Sequence, residues 1–67
     1  TGRVMVRAFI DETGVVRDVQ VHKSSSFERL DNEAVRAVKR ARFKPYIVNG
    51  RATAGWAFIP LTFELEN

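Results

Sequence analysis

The feature that most constrains this fold is a change in apolar spacing, from two residues to 3.6 and back to two. Apolar side chains alternate with other residues over 3–10 and 15–22, and recur at helical spacing over 30–41. They alternate again from about Ala54 to Glu66. Period-two alternation indicates half-buried strands, and 3.6-residue spacing indicates an amphipathic helix. The predicted element order is therefore β-β-α-β, in an α+β fold.

The first two strand segments are joined by a short polar turn. Residues 11–14 read Asp-Glu-Thr-Gly, and Gly14 can adopt the positive φ of a tight turn. We therefore expect an antiparallel hairpin. Val16 is out of phase with the later valines of its strand, which indicates a β-bulge near Arg17.

The helical segment has a narrow apolar face and signals at both ends. Asp31 is expected to cap its N-terminus or to lie in its first turn, and Pro45 to end it. Phe43 is expected to pack into the core. The residues predicted to face the sheet are Leu30, Ala34, Ala37, Val38 and Ala41.

The helix is expected to cover one face of a three-stranded antiparallel sheet. A hairpin followed by a crossover helix places the last strand beside the first, in the spatial order 2-1-3. The order 1-2-3 would instead require the last strand to run antiparallel to the second. We expect a single domain over residues 1–67 that is a fragment of a longer chain, because the sequence enters a strand pattern at once and has no initiator Met.

Composition limits the chemistry. With no Cys and one His among 67 residues, disulfides and Cys-ligated or His-rich metal sites are excluded. Asp11 and Glu12 are too few oxygen ligands for Ca²⁺. His22, the serines at 24–26 and Asp31 lack the fixed spacing of a hydrolase triad. We expect no catalytic residue, no metal and no cofactor.

The last strand segment carries the strongest functional signal. Pro60 has no N–H, so it is tolerated where that position faces an open sheet edge. The even-numbered residues should then point their backbone groups outward, whereas Ile59, Leu61 and Phe63 bond inward. The segment is also longer than the first strand, so an overhang is expected. An edge without Lys or Arg suits the addition of a partner strand. The predicted partner-binding residues are Trp56, Phe58, Pro60, Thr62 and Glu64.

Two further groups of residues are candidate contact surfaces. Met5, Phe9, Trp56 and Phe58 are predicted to lie together on the sheet face away from the helix. The second group is a basic cluster of Arg36, Lys39, Arg40, Arg42 and Lys44.

The basic cluster has two interpretations. Cations at a helix C-terminus complement the helix dipole. They could also bind an anionic partner, such as a cell-wall polymer (peptidoglycan), a membrane surface or nucleic acid. Nucleic acid is the alternative function, with Tyr46 and the aromatic residues stacking bases. We do not expect it, because the cations lie on the helix side and the aromatics on the opposite sheet face.

An ordered set of motifs runs along nearly the whole chain. Its members are Gly2-Arg3-Val4, Phe9-Ile10-Asp11 with Gly14, Val16, Asp18-Val19 with Val21, Ser24-Ser25, Leu30-Asp31 with Ala34, Ala41-Arg42-Phe43-Lys44-Pro45, Asn49-Gly50, and Ile59-Pro60-Leu61 with Phe63. This set resembles the C-terminal domain of the TonB family, the energy transducers of Gram-negative bacteria. Three-stranded split sheets of the TolA type are similar in outline and would bind different partners.

The resemblance implies a non-catalytic tether: an inner-membrane helix, a Pro-rich periplasmic spacer and then this domain. The domain would capture the TonB box of TonB-dependent outer-membrane receptors by strand addition along its last strand. Such pairing would couple inner-membrane energy to the import of siderophores and other nutrients. ExbB and ExbD would act through an anchor outside this sequence. A short TonB-like fragment is also expected to form a homodimer through the same strand.

Overall fold

The computed structural model describes residues 2–64 of the protein. Its elements are β1 (Gly2–Ile10), β2 (Val16–Lys23), α1 (Glu28–Arg40), β3 (Tyr46–Val48), β4 (Arg51–Thr53) and β5 (Gly55–Phe63). The three long strands form an antiparallel sheet in the order β2-β1-β5, with α1 packed on one face. The predicted α+β class and the order of the three main strands are confirmed.

The central strand β1 supplies most of the core. Its side chains Val4, Val6 and Ala8 are fully buried. Ala34 and Val38 cover them from the helix, and partly buried side chains of β2, β5 and the helix exit surround this centre. The small side chains of α1 allow the helix to lie close to the sheet. The prediction for Ala37 was wrong, because that residue is exposed.

The turn between β1 and β2 is organised by the buried carboxylate of Asp11. It accepts hydrogen bonds from the Thr13 hydroxyl at 2.6 Å, the Val15 amide at 3.0 Å and Arg17 Nε at 2.7 Å. The Thr13 hydroxyl is the main reason that the pKa of Asp11 lies far below its ordinary value, with the Val15 and Arg17 bonds adding to it against the opposing effect of burial. The carboxylate therefore stays ionised and holds the turn together.

Strand β2 pairs with β1 irregularly at two points. Phe9 lies opposite Asp18 and Ile10 opposite Val16, so Arg17 is the extra residue of a bulge. This confirms the bulge expected from the misplaced valine. A second irregularity, which was not predicted, leaves His22 as the extra residue between the partners of Met5 and Val6.

The start of the helix agrees with one of the two predicted positions of Asp31, whereas its end comes earlier than Pro45 suggested. It begins after Phe27, whose side chain makes no capping bond, and Asp31 lies in the first turn. The Asp31 carboxylate accepts hydrogen bonds from the Ser24 hydroxyl and from the amide and hydroxyl of Ser25, which lower its pKa. These hydrogen bonds to a residue of the first helical turn thus hold the loop that precedes the helix.

The prediction that Pro45 ends the helix was wrong, because the helix ends at Arg40. Ala41 is already extended, with φ −76° and ψ 153°. The chain then docks on the β1–β2 turn: Arg42 bridges Val15, and the Phe43 amide donates to the Gly14 carbonyl at 3.0 Å. Phe43 is half-buried against the core as a consequence. Docking of this segment, rather than proline, sets the helix end.

Residues 46–53, which no predicted strand included, form a hairpin of β3 and β4. Its two-residue turn is Asn49-Gly50, with φ of 52° and 74°, as a type I′ turn requires. The hairpin precedes β5 directly, with only Ala54 between β4 and β5. The molecule is correspondingly elongated, with extents of 47 × 18 × 16 Å.

Strand β5 has the same length as β1 and pairs with it along its whole length. The register runs from Gly2 opposite Phe63 to Ile10 opposite Gly55. The predicted overhang past the sheet is therefore wrong for the described residues. Glu64 follows the strand without belonging to it. The last part of the predicted segment, Leu65 and Glu66, lies outside the described residues.

Candidate functional site

Among the described residues, the outer side of β5 is a free sheet edge. Pro60 indicates which backbone N–H and C=O groups of the strand point towards that edge. Pro60 lies opposite Met5 in a ladder that continues without a break on both sides. Because proline has no N–H to donate to β1, its position must be one whose backbone groups point away from that strand. By alternation, Phe58 and Thr62 also point their N–H and C=O groups outward. All three residues are exposed.

The two edges of the sheet differ in how they are protected. The outer strand β2 carries two bulges and the charged residues Arg17, Asp18 and Lys23. Bulges and charges are the devices by which edge strands avoid pairing with other chains. Strand β5 has a regular register and no charged residue. The edge of β5 is therefore the one suited to accept another strand.

Tyr46 closes this edge at its N-terminal end. Its hydroxyl donates a hydrogen bond to the Trp56 carbonyl at 2.6 Å. This bond agrees with an outward direction for the backbone groups of Trp56. The open part of the edge, which we call the pairing edge, therefore consists of residues 58–62.

The sheet face away from α1 carries the predicted aromatic residues. Phe9 and Trp56 make an edge-to-face contact with ring centroids 5.2 Å apart, and the Arg7 guanidinium lies 4.1 Å from the Trp56 ring centroid. Edge-to-face and cation–π contacts each contribute roughly 0.5–1.5 kcal/mol. The Trp56 side chain is half-buried. Its role in contacting a partner stays a prediction.

Phe58 is the aromatic residue of this face that remains most accessible. Its side chain is 58% exposed, although its ring contacts His22 edge-to-face at a centroid distance of 4.9 Å. Met5, also predicted here, is half-buried opposite Pro60. The structure thus brings the predicted aromatic residues onto one face, in two separate contacts rather than one cluster.

Glu64 does not share the edge with the other predicted residues. It is exposed and follows the last residue of β5, so it has no place in the ladder with β1. The predicted edge therefore loses Glu64 at one end. At the other end, Trp56 has its carbonyl occupied by Tyr46.

The basic cluster continues past the end of the helix. All five of its residues are exposed, but Arg42 and Lys44 lie beyond α1. Arg36 lines a surface depression of about 510 Å³ with Glu33, whereas Lys39 lines another of about 400 Å³ beside Asp18 of β2. Lys39 and Arg40 also occupy the last turn of α1, where cations complement the helix dipole.

Three residues of the site were not selected by the sequence analysis in these roles: Arg7, His22 and Tyr46. Arg7 faces Trp56 because both lie on the same sheet face, which only the strand register reveals. His22 reaches Phe58 from a bulge that no pattern indicated. Tyr46 could have been found, since a short β-branched run before Asn-Gly is typical of a hairpin strand.

Two classes of feature are not found in the described part of the chain. Within residues 2–64, no group of three or more His, Asp or Glu side chains is arranged to hold a metal ion. Over the same residues, no helix combines the length and apolar character needed to cross a membrane.

Comparison with known proteins identifies the family of this chain. Residues 1–65 match the family described as "Gram-negative bacterial TonB protein C-terminal". No solved structure gives a significant match.

Individual relatives match over the same region. Protein tonB2 of Pseudomonas aeruginosa is 41% identical over 65 residues, which are 97% of this chain and 24% of that protein. Protein TonB of Vibrio cholerae is 37% identical over 65 residues, which are 97% of this chain and 27% of that protein. Protein TonB of Xanthomonas campestris pv. campestris is 36% identical over 65 residues, which are 97% of this chain and 29% of that protein. This chain thus spans about a quarter of the length of these relatives. It belongs to the family of Gram-negative bacterial TonB protein C-terminal domains.

Proposed function

We propose that this domain binds its partner by β-strand addition along the pairing edge, and that the partner is the TonB box of an outer-membrane receptor. The observation that carries the proposal is the contrast between the two sheet edges. One is bulged and charged, whereas the other is regular, uncharged and open. An extended peptide that pairs with an exposed edge gains affinity from main-chain bonds and specificity from alternate side chains.

The pairing edge offers a defined set of backbone groups. Phe58 and Thr62 each present an N–H and a C=O, and Pro60 presents a C=O alone. At about 1 kcal/mol for each hydrogen bond, they supply roughly 5 kcal/mol in total. Micromolar affinity requires about 8 kcal/mol. Side-chain contacts must therefore supply the rest, even before the entropy lost on association is included.

Side chains on both faces of β5 can make those contacts. Ile59 and Leu61 lie on the helix side and are only half-buried, so an added strand could cover them. Phe58 and Thr62 lie on the other side and are exposed. A partner with apolar residues at alternate positions on the helix side fits this pattern, and it would bury additional apolar area at roughly 25 cal/mol per Å².

In the whole protein, the domain would act at the end of a tether. We propose a periplasmic location, an inner-membrane anchor energised by ExbB and ExbD, and transport of siderophores or other nutrients by the receptor it engages. These proposals rest on family membership, since the chain spans about a quarter of its relatives. The exposed cations of the basic cluster are proposed as a secondary contact for an anionic polymer such as peptidoglycan.

The experiment that tests the proposal compares two substitutions of Thr62. Thr62→Pro removes one outward N–H without touching the ladder with β1, whereas Thr62→Ala keeps that N–H and removes the side chain. Binding of a TonB-box peptide is measured by calorimetry, and folding is checked by thermal unfolding. We expect T62P to remain folded and bind at least tenfold more weakly, and T62A to bind within about threefold of the original protein.

Two competing processes must be measured in the same samples. Self-pairing through β5 would appear in sedimentation velocity as a concentration-dependent dimer, which T62P should also weaken. Single-stranded RNA is titrated at low and high salt, because binding through phosphates falls steeply with salt. Peptide affinity that is equal in T62P and the original protein, or binding of RNA alone, would overturn the proposal.

A further inference from the structure

Tyr46 lies at the end of the pairing edge, next to Trp56. Its hydroxyl bonds to the Trp56 carbonyl at 2.6 Å, and its ring lies over Gly55. A Cβ on Gly55 would lie 2.6 and 2.7 Å from two ring carbons, so the ring fills the space where a side chain would stand. Tyr46 as a whole is nevertheless 47% exposed.

We propose that Tyr46 determines where the strand that pairs with β5 ends. The inference rests on the proposed function, since it concerns how the pairing edge is used. A strand added along β5 needs the outward C=O of Trp56 to extend past Phe58. The Tyr46 hydroxyl takes one of the two lone pairs of that oxygen and lies on its outward side, where the amide of an added strand would approach. The paired segment therefore ends at Phe58, and the partner chain leaves the sheet there.

The hairpin is what places Tyr46 at this point. Tyr46 pairs with Thr53 in the β3–β4 ladder, and only Ala54 separates β4 from the start of β5. The Asn49-Gly50 turn sets the length of that hairpin, so the position of Tyr46 relative to Trp56 is fixed by local structure. Tyr46 is thus a positioning residue held by its own hairpin.

Two positions on the edge then limit the pairing. Pro60 lacks an N–H donor, and the Trp56 carbonyl already accepts the Tyr46 hydroxyl. A partner strand extended by two residues past Phe58 would bring one of its amide donors to that carbonyl, where the hydroxyl already lies. The extension gains no hydrogen bond there, whereas each bond made over residues 58–62 contributes about 1 kcal/mol. The partner is therefore an extended segment that pairs over residues 58–62 and departs from strand geometry at the Trp56 end.

The test uses two variants that release the edge in different ways. Tyr46→Phe removes the hydroxyl and keeps the ring. Gly55→Ala displaces the ring through the short contacts described above. Ile47→Thr, at a 64% exposed position of the same hairpin, is the matched control. Each protein is labelled with ¹⁵N, and amide hydrogen exchange is followed with and without the TonB-box peptide used above, and with peptides lengthened by two residues at either terminus.

In the original protein and I47T, we expect the peptide to slow exchange at Phe58 and Thr62 but not at Trp56. In Y46F and G55A, the Trp56 amide should slow as well, by at least tenfold. The peptide extended towards Trp56 should bind these two variants about threefold to tenfold more tightly than the original protein, as one added hydrogen bond predicts.

The possible failures are distinguishable. Protection at Phe58 and Thr62, with Trp56 equally protected or equally unprotected in all four proteins, overturns the role of Tyr46 and leaves strand addition intact. Absence of protection along β5 in every protein overturns the proposed function, and the role of Tyr46 falls with it.

Discussion

Replacing Gly14 by alanine provides a quantitative test of how the helix exit is anchored. Gly14 has φ +88°, and a Cβ there would lie 2.1 Å from the Phe43 carbonyl oxygen. That oxygen belongs to backbone, so the segment after α1 would have to move. Moving it breaks the bond between the Phe43 amide and the Gly14 carbonyl. The substitution should therefore detach the helix exit from the β1–β2 turn.

The matched control is Gly50→Ala. Gly50 has φ +74°, but a Cβ there meets no atom within 4 Å. Both substitutions force an L-residue to positive φ, at about 1–2 kcal/mol. Both also restrict the unfolded chain to the same degree. Only G14A adds the backbone clash and the lost hydrogen bond, worth about 1–2 kcal/mol more. The free energy of unfolding should fall by about 3 kcal/mol in G14A and by about half that in G50A.

Thermal unfolding followed by circular dichroism measures the difference. A domain of this size shifts its Tm by about 4–8 °C for each kcal/mol, so G14A should melt about 5–15 °C below G50A. The total stability of such a chain is about 3–10 kcal/mol, and G14A could therefore be partly unfolded at room temperature. Equal melting temperatures for the two variants would refute the reasoning, because the contact between Gly14 and Phe43 would then contribute nothing.

Two further predictions concern the edge and the acid range. Pro60→Thr should give the pairing edge one more outward N–H while leaving Tm unchanged. Sedimentation velocity should then detect stronger self-association, or calorimetry should detect tighter peptide binding. A raised Tm without tighter binding would mean that this N–H points towards β1. The pKa values of Asp11 and Asp31 are lower in the folded protein than in the unfolded chain, where they are about 4. The ionised carboxylates therefore stabilise the fold fully above about pH 4, and this stabilisation is lost as pH falls below that value. Between pH 7 and pH 2, Tm should therefore fall less steeply in Asp11→Asn than in the original protein, and equal slopes would contradict the role of Asp11.

Local sequence signals predicted the fold where local energetics decide it. Alternation located the long strands, the displaced Val16 located the bulge at Arg17, and Pro60 indicated the direction of the open edge. Each of these signals reflects a constraint within one or two strands. The helix end was predicted wrongly because its cause is a long-range one, the docking of residues 42–43 on Gly14.

The site was predicted only in part for a similar reason. Strand β5 was expected to overhang the sheet, since alternation continues past the end of its partner. Alternation reports which face a side chain occupies and does not report where pairing stops. The register with β1 places the end of pairing at Phe63, and the hairpin of β3 and β4 lies at the opposite, N-terminal end of β5. The contact between Tyr46 and Trp56 joins two such elements, so it required the three-dimensional structure.

The most direct test of strand addition at β5 is amide hydrogen exchange, resolved by residue, with and without a TonB-box peptide. Backbone pairing at the outer edge predicts an alternating result. Exchange should slow at Phe58 and Thr62, whose N–H groups point outward, and change little at Ile59 and Leu61, whose N–H groups already bond to β1. Uniform slowing along β5, or slowing confined to the basic cluster, would contradict strand addition at this edge.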